Sequence, residues 1–160
     1  MTEYQVDAKI VQFIERLRAL DPGGRAQLKR SAGQPLPEAS GGALRLFYSL
    51  LPPAVPRYQE PAYFLLATLF PLADDGGSGN FGAALRRARK SENAPGLDRR
   101  VEVLLDADEI QLPFRLRQAT RFVASNQARV DWTQLLDDLL QWTHPSRRVQ
   151  QNWARGFYAD

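Results

Sequence analysis

The chain has no cysteine, one histidine, three isoleucines and eight valines in 160 residues. Without thiols there can be no disulfide framework, no cysteine nucleophile and no thiolate metal site. A reducing compartment suits such a chain, and a cytoplasmic location is expected. The single histidine, His144, has no second His or Cys with which to build a zinc set. No Gly-x-Ser-x-Gly elbow accompanies it, so a serine-hydrolase triad is poorly supported, and a turn residue between Thr143 and Pro145 is the simpler reading. Long apolar runs are also missing. The longest, residues 63–72, is about half of what a membrane span needs, and Glu3, Asp7 and Lys9 interrupt the N-terminus where a secretory signal would be apolar. No membrane role and no bound cofactor are expected.

The shortage of β-branched residues sets the fold class. Against those few stand 22 Leu and 20 Ala, which keep their rotamer freedom in a helix, whereas strands favour the branched types. An all-α protein is expected, long enough to bury a core without a disulfide or metal staple. Val6, Ile10, Phe13, Ile14 and Leu17 recur at helical steps, and Asp21-Pro22-Gly23-Gly24 is expected to end that first helix. Further helices are predicted at 25–32 (closed by Gly33), 43–51 (stopped by Pro52-Pro53), from Pro61, and at 81–90, 97–105 and 109–124. Asp106 or Asp108 should open the last of these, which requires Pro113 to lie in its first turn. Asp131 should cap a helix burying Trp132, Leu135, Leu136, Leu139 and Leu140, and Ser146 should begin a terminal helix burying Val149, Trp153 and Phe157. Residues 74–80 are mostly Gly and Asp and read as a mobile loop, or the seam between a lobe of residues 1–75 and a lobe of residues 81–160.

Gly77, Gly79 and Gly82 fit the spacing G-x-G-x-x-G. A dinucleotide site needs a strand before the loop and a βαβ unit around it, and neither is predicted, so a linker is the better reading. Asp106, Asp108 and Glu109 read as helix-terminal charge, and Asp137 and Asp138 as a solvated face pointing away from the leucine stripe. A metal-dependent nuclease built on the Asp106 and Asp138 regions is the weakest alternative, and no metal site is expected.

What the chain has in quantity is arginine: 18 Arg and 3 Lys against 18 acids, a net +3. Many occur in groups: Arg25, Lys29 and Arg30; Arg86, Arg87, Arg89 and Lys90; Arg99 and Arg100; Arg115, Arg117 and Arg121; Arg147, Arg148 and Arg155. Arg grips phosphate bidentately. Arg25 with Lys29, Arg86 with Lys90, and Arg117 with Arg121 are i, i+4 pairs that should share helix faces, and Arg148 and Arg155 also align. Such ridges suit a polyanion's backbone, although i, i+4 charges are often only a solvated face. No base-reading helix or RNA-recognition motif is present.

The sequence resembles the CasB family, the small subunit of the type I-E CRISPR Cascade complex, over nearly its whole length. Residues 13–17 (FIERL), 25–30 (RAQLKR) with Gly33, 47–52 (FYSLLP), 63–70 and 82–87 (GAALRR) carry the likeness in order, followed by Arg99-Arg100-Val101. The C-terminal part is the most specific: 112–118 (LPFRLRQ), 138–142 (DLLQW) and 148–155 (RVQQNWAR) with Phe157-Tyr158. Lys29 stands where the family often has Arg, keeping the charge but losing the fork.

The resemblance implies two small packed helical bundles, about eight or nine helices in all, and a non-catalytic ribonucleoprotein subunit. Its expected partners are the other Cascade subunits, a second copy of itself, the CRISPR guide RNA and the target DNA, whose displaced strand it would help to hold in the R-loop. Within that reading the nucleic-acid-binding residues are Arg25, Lys29, Arg30, Arg86, Arg87, Arg99, Arg100, Arg117, Arg121, Arg147, Arg148 and Arg155. The alternative is a structural protein-interaction module without direct nucleic-acid contact.

Overall fold

A computed structural model of the chain describes residues 6–159. Residues 1–5 and 160, included in the two expected lobes, lie outside the described residues. Among the described residues nine α-helices follow one another: α1 Ala8–Arg18, α2 Pro22–Arg30, α3 Gly41–Leu50, α4 Glu60–Leu69, α5 Phe81–Ala88, α6 Ala94–Leu105, α7 Leu112–Ser125, α8 Trp132–Leu140 and α9 Arg148–Tyr158. Short 3-10 turns lie at Leu36–Glu38, Arg57–Gln59 and Phe70–Leu72. Among the described residues there is no named strand, and none of the helices is long and apolar enough to cross a membrane.

Local chemistry explains where the helices begin. Asp21, Ser40, Asn80 and Asp131 each accept the backbone N–H three residues on, satisfying a donor that a helix start leaves free. The Asp21-Pro22-Gly23-Gly24 segment therefore starts α2 rather than ending α1. Asp21 Oδ1 takes the Gly24 N–H at 2.7 Å, and Pro22 sits in the first turn, where its missing N–H costs nothing. Helix α7 starts at Leu112, later than expected, because Asp108 Oδ1 ties the Ile110 and Gln111 N–H groups into a preceding turn. Pro113 does fall in its first turn. Helix α9 starts at Arg148 because His144 Nδ1 holds the Ser146 N–H at 3.1 Å and Arg147 is left-handed, with φ 53°.

The core is layered on α4, buried continuously from Tyr63 to Leu69. Against it stand Ile10, Phe13, Ile14 and Leu17 of α1. Phe13 meets Tyr63 edge-on with ring centroids 5.0 Å apart, and Phe47 of α3 meets Phe64 the same way at 5.3 Å. Helix α8 packs on both α1 and α4, α6 packs on α7, and α5 packs most closely on α9. That closeness comes from glycine: a Cβ on Gly82 would fall on the Trp153 carbonyl, and one on Gly156 would reach Asn80 Oδ1 at 2.7 Å.

Two sequence expectations fail for reasons of packing. Asp137 and Asp138 are buried, not solvated: with α1 and α4 against α8 and Trp153 of α9 reaching it, the flanks of the leucine stripe are covered too. The segment 74–80, whose composition reads as mobile, is pinned. Val130 N donates to the Asp74 carbonyl at 2.9 Å, Gly77 N donates to the Val130 carbonyl at 3.2 Å, and Arg18 pairs with Asp75 at 2.5 Å. Gly77 is needed there because a Cβ would strike the Arg129 carbonyl. Of the glycines in the G-x-G-x-x-G spacing, Gly77 and Gly82 thus mark close backbone approaches within the protein, and Gly79 a left-handed turn at φ 81°.

Candidate nucleic-acid interface

A helix C-terminus leaves carbonyls without an intrahelical partner and with negative dipole character, and arginines fill that need repeatedly here. Arg16 Nη1 donates to Leu50 O at 3.0 Å, Arg115 Nη1 to Val103 O at 2.7 Å, and Arg147 Nη2 to Leu105 O. Arg86 donates to the Ala159 carbonyl beyond α9, and Arg87 Nη2 donates to Arg129 O at 3.2 Å. Of the twelve candidate cations, Arg86, Arg87 and Arg147 thus hold elements together. Arg148 is tied to Gln141 Oε1, which removes it from a common ridge with Arg155. Arg99 faces Glu102 at 3.5 Å with both side chains largely exposed, a pairing of little energetic weight. Because α5 ends at Ala88 and Arg89 is extended, Lys90 leaves the helix and shares no helix face with Arg86.

The others divide by neighbourhood. Arg25 lies over the Phe70 ring, 5.4 Å from its centroid, and the turn that holds Phe70 packs on both α2 and α7. Gly33, just past α2 and at φ 77°, leaves room for the Arg117 side chain of α7, whose carbons lie 2.5–3.2 Å from where a Cβ would be. Arg121 follows one turn later on α7. The structure therefore brings Arg25, Lys29, Arg30, Arg117 and Arg121 to one junction. Arg117 is half-buried there, its Nε without a hydrogen-bond partner. Among the described residues the exposed side chains of Lys29, Arg30 and Arg121 make no hydrogen bond or ion pair with protein.

Arg100 lies elsewhere, on α6, its guanidinium 6.0 Å from the ring centroid of Phe122 on α7. Arg155 stands apart, beside a cleft lined by Asn80, Asp131 and Asp138.

Grouping by sequence overlooks Arg18 and Arg129, far apart in the chain but joined at Asp75. Arg18 donates to its carboxylate and Arg129 Nη1 to its carbonyl at 3.1 Å. Burial works against the Asp75 charge, yet the bonds from Arg18 and the Gly76 N–H hold its pKa below the usual carboxylate value. Asp138 goes the other way: burial raises its carboxyl to about 6, against the bonds from Trp153 and Gln134. Among the described residues no three His, Asp or Glu side chains converge as a metal site would require.

Comparison with known proteins agrees with this architecture. Residues 24–158 match the family model for CRISPR-associated protein Cse2. A CRISPR-associated protein Cse2 of Thermus thermophilus is 37% identical over 159 residues, covering 87% of this chain and 91% of its own. The crystal structure of CasB from Thermus thermophilus superimposes with a TM-score of 0.78 at 32% identity, covering 94% of this chain and 96% of that one. CasB of M. ruber gives 0.76 at 28% identity, covering 96% and 94%. A chain in a CRISPR RNA-guided surveillance complex, 21% identical, shares the fold with a TM-score of 0.78, covering 93% and 91%. With its helical order, its C-terminal motifs and its family match in agreement, the chain belongs to the CRISPR-associated Cse2 family, the CasB proteins.

Proposed function

We propose that this chain is the non-catalytic small subunit of a type I-E CRISPR Cascade effector complex, acting in antiviral defence in the cytoplasm. It holds nucleic-acid backbone without reading sequence and stabilises the R-loop and the displaced DNA strand. Its partners in this reading are the other Cascade subunits, a second copy of itself, the guide RNA and the target DNA. The observation that carries the proposal is the junction of α2 and α7, where Lys29, Arg30 and Arg121 stay exposed and, among the described residues, without a hydrogen-bond or ion-pair partner, beside Arg25 and Arg117. The patch spans both proposed lobes, residues 1–75 supplying α2 and residues 81–160 supplying α7.

The energetics favour such a role. Exchanging a DNA duplex for an RNA–DNA heteroduplex is nearly balanced, so modest contacts to strand backbones can tip it. Backbone contacts carry no sequence information, whereas each neutralised phosphate releases counterions. If four to six phosphates of a single strand are engaged, log affinity should fall with log salt at a slope of roughly −3 to −4.

The test is binding of the isolated protein to labelled single- and double-stranded DNA of several sequences across a salt series, with EDTA present. Sequence-independent binding with that slope is expected. No binding at low salt would instead favour a structural module that fixes the geometry of its complex without touching nucleic acid.

A further inference from the structure

A second surface has the opposite chemistry to the basic junction. Between the loop at 106–111 and the loop at 141–147 lies a cleft of about 700 Å³, lined by Asp106, Asp108, Glu109, Ile110, Trp142 and Gln150 among others. Three carboxylates on one short loop stand out on a chain of net charge +3. Asp108 is used internally, its Oδ1 accepting the Ile110 and Gln111 N–H groups. Among the described residues the side chains of Asp106 and Glu109 have no hydrogen-bond or ion-pair partner. Arg147 also lines the cleft, but its Nη2 is committed to the Leu105 carbonyl.

Gln150 makes this more than a cluster of acids. It is only 6% exposed, and its Nε2 donates to the Trp142 carbonyl at 2.7 Å. That bond fixes the amide, because a flip would set two oxygens against each other. The Oε1 atom is left buried with no donor among the described residues. A buried acceptor without a partner is costly to maintain, and here it belongs to a residue that lines the cleft.

An apolar groove of about 370 Å³ adjoins the cleft and shares Glu109, Trp142 and Thr143 with it. Tyr58, Leu65, Leu112 and Leu140 contribute to its lining. Ile110, beside it, is 89% exposed, the most exposed large apolar side chain among the described residues. Acceptors that lack donors, next to an apolar groove, fit an amphipathic occupant with positive charge.

We propose that this face docks a partner protein through a segment bearing both basic and apolar side chains. An arginine or lysine of the partner meets Asp106 and Glu109 at the cleft that Gln150 lines, and its apolar neighbours cover Ile110 and enter the groove. The carboxylates disfavour a phosphate backbone here, so the two faces of the molecule divide their ligands by charge. The inference uses none of the residues of the basic junction and stands independently of the nucleic-acid reading.

The probe is a synthetic helical peptide with Leu and Arg on one face, fluorescently labelled and titrated against the full chain by anisotropy. Saturable binding is expected, at least tenfold weaker in the double variant D106K/E109K and at least tenfold weaker in Ile110→Ser. Both variants change exposed loop side chains and should melt where the parent does. Three outcomes overturn the proposal: no binding of the Leu/Arg peptide at millimolar concentration, equal binding of an Arg/Ser peptide of the same charge, or affinity unchanged in both variants. Self-association of the parent chain in sedimentation that D106K/E109K abolishes would also overturn it, by making a second copy the occupant.

Discussion

The indole N–H of Trp153 on α9 donates to Oδ2 of Asp138 on α8 at 2.8 Å. Gln134 Nε2 holds the other oxygen at 2.9 Å. Both oxygens of a buried carboxyl are thereby engaged, and a residue from the last helix is tied to the helix that packs on α1 and α4. The link is polar in a setting that is otherwise apolar, with the rings of Trp142 and Phe81 packed at a tilt against Trp153 at centroid distances of 5.0 and 5.2 Å.

A pH dependence follows from that pair. Burial raises the Asp138 carboxyl from an ordinary 3.8 to about 6. Between those values the folded chain keeps a proton that the unfolded chain has released, so stability from this group falls as pH rises through the window. At about 1.4 kcal/mol per pH unit, the change is on the order of 2–3 kcal/mol. Asp138→Asn, which can still accept from Trp153, should remove this slope, and the difference between variant and parent cancels the opposing contribution of Asp75. Urea midpoints at intervals from pH 4 to pH 7 would measure it. Parallel profiles for the two proteins would show that Asp138 does not titrate in that range.

Gly82→Ala should be among the most damaging small substitutions in the chain. Its Cβ meets the Trp153 carbonyl and Cα, which are backbone and cannot turn aside. Separating α5 from α9 opens the most intimate helix pair, and overpacking of this kind costs about 1–3 kcal/mol or more. Gly41→Ala at the start of α3 is the control, since nothing lies within 4 Å of its Cβ. It should be neutral or stabilise by about 0.4–1 kcal/mol through the unfolded state. Thermal unfolding of both variants decides the matter, and equal melting temperatures would contradict the packing argument.

The arginines should separate into two classes on substitution. Arg147→Ala loses the bond to the Leu105 carbonyl and should lower stability by about 1 kcal/mol, with DNA affinity little changed. The double variant R30E/R121E alters two exposed side chains with no protein partner among the described residues. It should keep the parent melting temperature, weaken DNA binding at least tenfold and flatten the single-strand salt slope by about 1.4. Arg117 is a poor choice for charge reversal, because its stem packs on Gly33 and a carboxylate there would perturb the fold as well. DNA titrations with parallel melting curves would test this, and equal affinity losses in the Arg147 and Arg30/Arg121 variants would erase the distinction.

The sequence was most legible where the determining chemistry was local. The stripe of α1, the Asp131 cap, the stop at Pro52, the left-handed Gly33 and the apolar spacing of Val149, Trp153 and Phe157 are all written in residue types a few positions apart. Where two local signals competed, the reading failed. Asp-Pro-Gly-Gly carries both breaker and initiator residues, and the Asp21 bond to Gly24 decides for initiation. The candidate site was legible as a list of cations but not as a surface. Whether an arginine caps a carbonyl, as Arg86 and Arg147 do, or stays exposed at the surface, as Arg30 does, depends on helices distant in sequence.

Composition and periodicity by themselves determined an all-helical, cysteine-free chain rich in arginine, because helix propensity and amphipathic spacing are properties of short segments. Motif order determined the family. Only the tertiary structure decided that Asp138 is buried and protonates near 6, that residues 74–80 are held by Val130 and Arg18, and that α2 and α7 pool their cations. Each depends on what packs against a residue from far along the chain, since burial and charge proximity are set by three-dimensional neighbours and not by spacing in sequence.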